Sequence, residues 1–149
     1  MESKTQNPLG SEAVQVKLRE ARVARLATVD RECRPHVVPV CFVYDGRALY
    51  TALDLKPKRT APKKLARVRH IQKRPDVTLL LDEYQENWAN LWYILIRGKA
   101  TLVEVPSREY QQAHSLLRSK YPQYAAGLLP ETTLLIRILP TRVTCWGKL

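Results

Sequence analysis

Three apolar segments separated by short polar turns occupy the first third of the chain and restrict it to a fold built on antiparallel strands. Residues 23–29, 36–44 and 49–53 are rich in aliphatic and β-branched side chains, and each has the length of a strand. The dipeptide Asp45-Gly46 between the last two segments is a strong hairpin signal. We therefore predict an antiparallel three-stranded meander over residues 23–53.

The rest of the chain adds strands more often than helices. Apolar spacing on a helical period predicts one helix that directs Tyr110, Ala113, Leu116 and Leu117 inward. Few helices interrupt the strands, so we predict a mainly β fold, a closed or nearly closed barrel of six or seven antiparallel strands with peripheral helices. The other predicted strands cover residues 77–81, 91–105 (bent near Gly98), 134–139 and 142–146, and the helices cover 12–21, 63–73 and 106–120.

Length and composition fit one ordinary globular domain. The 149 residues suffice for one core and leave no room for a second. Residues 1–10 carry no periodicity and are expected to form a flexible tail before a single domain at 11–149. No apolar stretch is long enough to span a membrane or to serve as a secretory leader, so we expect a cytoplasmic protein. Its three cysteines form no CxxC pair, and we expect neither a disulfide nor a bound metal.

Positive charge is concentrated in one segment. The formal net charge is +11, and residues 56–74 contain nine Lys or Arg and no acidic residue. Such a tract is most often a solvated surface, but it also fits an anionic partner such as a phosphate or a nucleic acid. A nucleic-acid-binding module remains an alternative. It is disfavoured because the tract has no interleaved aromatic residue for base stacking and no recognised reader motif.

Other candidate motifs are weak. Cys33 and His36 have the spacing of half a metal site, but no second Cys/His pair accompanies them. His70 and His114 fall on predicted helices without evident partners. No nucleophile, zinc-protease or phosphate-loop motif is present. We therefore name no catalytic side chain.

The run RLATVDRECRPHVVPVCFVYDGRALYTALDLKPKR resembles the first half of the flavin-binding split-barrel proteins related to pyridoxamine 5'-phosphate oxidase. The KPKR run, the later block LLLDEYQENWANLW and a last strand ending in Trp-Gly are similar to a subgroup of F420-dependent enzymes. The resemblance covers about residues 20–146. It implies a six-stranded Greek-key split barrel of the FMN-binding type and a homodimer with its site between the subunits.

The resemblance also implies which residues bind the cofactor. The VVPV strand would present its backbone to the flat ring system, with Thr51 and Ala52 near the edge of the ring. Trp88 or Trp92 of the partner chain would cover the ring. The full set of implied cofactor-binding residues is His36, Val38, Pro39, Val40, Thr51, Ala52, Lys56, Lys58, Arg59, Lys64, Trp88 and Trp92.

Within that set, Lys56, Lys58 and Arg59 would take the phosphate, and Lys64 is a further candidate contact. Pro39 lacks a ladder donor, so we expect it on an edge strand, where neighbouring backbone groups are free for a ligand. Nine cations exceed what the single phosphate of FMN requires. The deazaflavin coenzyme F420 adds carboxylates, and the tract therefore favours F420, with FMN as the alternative.

The expected function is hydride transfer between F420 and a small organic substrate. A protein that carries the cofactor without turnover would have the same sequence features.

Overall fold

A computed structural model describes residues 7–53 and 65–149 of the chain. Among these residues, seven antiparallel strands form one sheet and three α-helices lie around it. The strands are β1 (Ala24–Val29), β2 (Pro35–Val40), β3 (Val43–Tyr44), β4 (Leu49–Ala52), β5 (Asp76–Glu83), β6 (Trp92–Leu102) and β7 (Leu135–Gly147). The helices are α1 (Glu12–Glu20), α2 (Ala66–Lys73) and α3 (Arg108–Lys120), with 3-10 turns at Pro8–Gly10 and Trp88–Asn90 and an irregular helical turn at Tyr124–Leu128.

Alternation of side chains along the strands sets the two faces of the sheet. In β5, Val77, Leu79 and Leu81 are buried, while the residues between them are half-buried on the other face. The buried residues join one core with Phe42, Leu18 of α1 and Ile71 of α2. A second core cluster lies under α3 and includes Leu117 and Tyr50. The helices therefore cover the interior of the sheet and leave its outer face open.

The strand order requires the sheet to curl. It runs β2-β1-β5-β6-β7-β4-β3, so β2 and β3 are its two edges. Only Cys41 and Phe42 separate these edge strands in the chain. Val40 and Val43 are thus within about 10 Å of each other, because an extended chain spans at most ~3.3–3.6 Å per residue. The two edges meet at this point, which we call the corner. The curled sheet is a half-barrel, which confirms the predicted mainly β split-barrel fold.

The predicted meander is confirmed in its β3–β4 hairpin, but residues 36–44 do not form one continuous strand. Strand β2 pairs with β1 throughout its length, but β4 pairs with β3 and β7 rather than with β2. The predicted strand over residues 36–44 is interrupted at the corner. Both backbone groups of Phe42 bond the side chain of Tyr121 instead of a neighbouring strand, which explains the interruption. This break gives seven strands where the resemblance implied six.

The two predicted C-terminal strands form the single strand β7. Its pairing with β6 continues on both sides of Thr141, which is the extra residue at a register shift between Arg97 and Gly98. Thr141 donates its hydroxyl to the carbonyl of Arg97 over 3.3 Å. A Cβ at Gly98 would lie 2.6 Å from the carbonyl oxygen of Leu139, so the crossing of the strands requires glycine there.

Smaller differences concern the tail and α3. Residues 8–10 form a 3-10 turn and Leu9 is buried in the core, so the flexible tail expected over residues 1–10 does not extend to its described end. In α3, Leu116 is exposed and His114 takes the expected inward position. Burial of the polar His114 ring is possible because its Nε2 donates a hydrogen bond to the carbonyl of Leu129 over 3.0 Å. None of the helices in the described part of the chain is long and apolar enough to cross a membrane.

Candidate functional site

The corner is held by one buried tyrosine. The hydroxyl oxygen of Tyr121 accepts from the backbone N–H of Phe42 over 2.9 Å. Its single proton is shared between the carbonyls of Phe42 and Arg22, each 2.9 Å away. The ammonium group of Lys120 lies 3.9 Å from the centre of the Phe42 ring and donates to the carbonyl of Leu18. Helices α1 and α3 thus fix the position at which the two sheet edges meet.

Strand β2 is an edge of the sheet, as Pro39 predicts. All six of its residues pair with β1, and no described strand pairs with its other side. Val38 and Val40 face the core, whereas Val37 and Pro39 face outward. Since only one side of β2 is paired, backbone donors and acceptors remain available along the other side. This arrangement suits a planar ligand that is recognised through backbone groups.

Thr51 and Ala52 lie in β4 beside the corner. Thr51 is one position beyond the Val43–Tyr50 pair, and both Thr51 and Ala52 are buried. The hydroxyl oxygen of Thr51 is enclosed and has no hydrogen-bond partner among the described residues. A buried hydroxyl without a partner costs about 1–3 kcal/mol, so its presence favours a ligand that bonds it. Ala52 packs in the cluster under α3.

The implied phosphate contacts Lys56, Lys58, Arg59 and Lys64 lie outside the described residues. In the sequence they follow β4 directly, and the tract continues into α2. Its described end presents Arg69, Lys73 and Arg74 to solvent. The guanidinium of Arg74 donates to the backbone carbonyl of Arg31 over 3.2 Å. The basic surface therefore extends from α2 to the turn between β1 and β2.

The two tryptophans occupy different environments. Trp88 is 72% exposed in its 3-10 turn, so its ring is available to a neighbouring molecule. Trp92 is buried in the core of its own chain, and its indole N–H donates to the Glu83 carboxylate over 3.2 Å. The burial of Trp92 contradicts its expected place over a ring in the partner subunit.

Three side chains whose contact was not foreseen from the sequence meet at the start of β2. His36 pairs directly with Thr28 of β1, and the ring of His70 from α2 lies 5.2 Å from the His36 ring at an angle of 83°. Thr28 Oγ1 and His70 Nδ1 are 2.7 Å apart and hydrogen-bonded. No sequence signal identifies His70, because its contact with His36 depends on how α2 crosses the sheet.

Burial determines the electrostatics of this group. It lowers the pKa of the His70 imidazole, the neighbouring His36 ring acts in the same direction, and the Asp30 carboxylate opposes both. His36 Nδ1 is buried and has no hydrogen-bond partner among the described residues. Two of the implied cofactor-binding residues, His36 and Thr51, thus each have a buried polar atom without a hydrogen-bond partner among the described residues.

The outer face of the sheet is apolar over several strands. Val37 is 59% exposed and Trp146 is 53% exposed, and the half-buried Leu80 and Leu95 lie on the same face. Trp146 stacks on Tyr93 with ring centres 5.8 Å apart. The stack lines a groove of about 480 Å³ together with Leu80 and Leu95. Apolar area of this kind on a sheet typically marks an interface.

The family follows from a sequence comparison over nearly the whole chain. The family model described as pyridoxamine 5'-phosphate oxidase matches residues 11–147. This chain belongs to the pyridoxamine 5'-phosphate oxidase family. Membership accounts for the curled sheet with peripheral helices. No curated protein sequence matches the chain.

Solved structures similar to this family member share its fold at low sequence identity. HutZ, described as a heme storage protein from Vibrio cholerae, has a TM-score of 0.72 and 18% identity, with 91% of this chain and 92% of HutZ covered. Rv2991 from Mycobacterium tuberculosis has a TM-score of 0.71 and 20% identity, with 92% and 84% covered. General Stress Protein 26 from Bacillus anthracis has a TM-score of 0.63 and 22% identity, with 90% and 91% covered. These similarities establish the fold alone.

Proposed function

We propose that this member of the family is an F420-dependent oxidoreductase that transfers a hydride between the deazaflavin coenzyme and a small organic substrate. One observation carries the proposal: the buried hydroxyl of Thr51 has no partner among the described residues, and it lies directly before the basic tract. A hydroxyl in that place is ready to bond a polar atom of a cofactor whose phosphate is bound by the following residues.

Each residue of the site has a specific role in holding the coenzyme. Lys56, Lys58 and Arg59 bind the phosphate through charge-assisted hydrogen bonds, with Lys64 as a further contact. The free edge of β2 offers backbone groups to the edge of the ring, and the apolar side chains of this strand exclude water from one side. The bound coenzyme supplies the hydride, while the protein positions the substrate against it.

Charge favours F420 over FMN. FMN presents one phosphate, whereas F420 adds a carboxylate and an acidic tail. The exposed Lys73 and Arg74 extend the positive surface beyond the residues that one phosphate would occupy. A surface of this kind attracts an anionic tail at long range. Binding of FMN at the same site is the alternative, and the binding experiment must distinguish FMN from F420.

We also propose that two copies pair through the outer face of the sheet. Val37 and Trp146 are the most exposed apolar residues of the strands on that face, and a second copy would cover both. Trp88 is more exposed still and would then lie near the partner chain's site, as the family resemblance implies. Monomeric proteins rarely leave such a surface uncovered.

Calorimetric titration of the apoprotein with F420, FMN and haemin, in parallel, tests the proposal. We expect F420 to bind with micromolar or tighter affinity and more tightly than FMN. Haemin is included because the structural neighbour HutZ is described as a heme storage protein. Absence of binding by both F420 and FMN would overturn the proposal, whereas tighter binding of FMN would overturn only the choice of F420.

Two variants test the assigned contacts. Replacing Lys58 and Arg59 together by Ala should weaken F420 binding about tenfold or more, because charge-assisted contacts are lost. The matched control replaces the exposed Arg108 and Arg118 of α3 by Ala and should leave affinity unchanged. Thr51→Val should weaken binding about fivefold without lowering the stability of the apoprotein, because it removes a buried hydroxyl that has no described partner. Unchanged affinity in both site variants would place the cofactor elsewhere.

A further inference from the structure

The contact between His36 and His70 brings two titratable rings together at the start of β2. β1 supplies Thr28, β2 supplies His36 and α2 supplies His70. The hydrogen bond between Thr28 and His70 fixes one nitrogen of the His70 ring, and the edge-to-face contact fixes its angle to His36. Three separate elements thus hold the two rings in one arrangement.

One nitrogen of the pair lacks a partner. His36 Nδ1 is buried, and no described residue bonds it. If this nitrogen carries a proton, the N–H has no acceptor; if it carries a lone pair, it has no donor. Either state leaves a buried polar atom unsatisfied at a cost of about 1–3 kcal/mol. A ligand group reaching Nδ1 would remove this cost, and an anionic group would do so best by accepting from a protonated ring.

The groups around His70 determine how readily its ring takes up a proton. Burial and the neighbouring His36 ring both oppose a positive charge on the His70 imidazole and lower its pKa. Arg69 of α2 adds to this repulsion, whereas the carboxylate of Asp30, at the end of β1, favours a positive charge. This balance leaves room for one additional proton once negative charge arrives in the site.

We propose that His36 and His70 form a proton-accepting pair that takes up one proton from solvent when an anionic, phosphate-bearing cofactor binds. This inference rests on the proposed function, since it needs the cofactor to lie within reach of His36. The proton goes to an imidazole nitrogen of the pair, and the resulting N–H donates to an acceptor oxygen of the cofactor. Cofactor affinity then becomes dependent on pH through two residues that sequence analysis did not connect.

Calorimetry in buffers of different ionisation enthalpy measures this uptake directly. F420 is titrated into the full-length apoprotein at pH 7.5 in Pipes, Hepes and Tris. The slope of the observed enthalpy against the buffer ionisation enthalpy gives the number of protons taken up. We expect about half a proton or more per site. The Cε1–H signals of the two histidines, followed by NMR against pH with and without F420, should show a titration midpoint raised by about two pH units.

His70→Asn and His36→Asn are the test variants, because asparagine keeps a hydrogen-bonding side chain but does not titrate. Each should abolish most of the uptake while F420 still binds. His114→Gln, which changes a histidine outside the pair, should keep the uptake. Thermal melts of all variants verify that they are folded.

The possible outcomes separate this inference from the proposed function. Proton uptake in the wild type that is lost in both Asn variants supports the pair. Binding of F420 without buffer dependence, or with an uptake that persists in the double Asn variant, overturns the pair and leaves the proposed function standing. If neither F420 nor FMN binds, the proposed function falls and the pair falls with it.

Discussion

Removing the hydroxyl of Tyr121 tests whether the corner is held as described. In Tyr121→Phe, the buried N–H of Phe42 loses its acceptor, and the carbonyls of Phe42 and Arg22 lose their shared donor. An unsatisfied buried N–H costs about 1–3 kcal/mol, and a lost ordinary hydrogen bond costs about 0.5–1.5 kcal/mol. The ring itself keeps its packing. We therefore expect the free energy of unfolding to fall by about 2–4 kcal/mol.

Urea denaturation monitored by circular dichroism and thermal melting measures this loss. For a domain of this size, the expected loss corresponds to a fall in Tm of about 5–12 °C. Tyr84→Phe is the matched control, because its hydroxyl makes only a 3.4 Å contact to Glu86 on an exposed side chain. The control should change stability by less than about 0.5 kcal/mol. If Tyr121→Phe is as stable as this control, the hydroxyl does not hold the sheet edges together.

Three further predictions concern other parts of the molecule. Gly98→Ala should lower stability by about 2 kcal/mol or more in urea denaturation, because its Cβ would meet the Leu139 carbonyl oxygen at 2.6 Å; an unaffected midpoint would mean that β7 moves aside freely. Burial lowers the pKa of Lys120 from 10.5 to about 8. Between pH 8 and pH 10.5 the unfolded chain therefore binds more protons than the folded protein, and the contribution of Lys120 to the free energy of unfolding rises with pH over this range. Lys120→Met should remove this rise, and parallel pH slopes for the two proteins would contradict it. If two copies pair through the outer face as proposed, light scattering should show a dimer that Trp146→Glu converts to a monomer and that Leu116→Glu on α3 leaves intact.

Local signals predicted much of the sheet. Apolar segments of strand length located β1, β5 and β6 to within a few residues, and Asp45-Gly46 correctly placed the hairpin between β3 and β4. The side chain of Asp45 accepts from the N–H groups of Arg47 and Ala48, and Gly46 takes a φ of 98°. Turn chemistry of this kind depends on a few neighbouring residues. It is therefore readable from sequence.

Pairings between distant segments were not readable in the same way. Nothing near Phe42 shows that its backbone bonds Tyr121, so the break between β2 and β3 was missed. The apolar pattern also placed Leu116 on the inner face of α3, where the polar His114 is buried instead. A carbonyl of the following loop accepts the His114 N–H and makes its burial possible. The candidate site shows the same division: the family resemblance implied Thr51, whereas the contact of His70 with His36 could be seen only in the fold.

The proline at the sheet edge affects how this protein behaves when its site is empty. An edge strand whose backbone groups are free is a template on which another chain can add a strand and begin aggregation. Pro39 lacks the donor that a regular added strand would need at its position, so such an addition is interrupted after a few residues. The residue that leaves β2 open to a flat ligand thereby protects the apoprotein from self-association through the same edge.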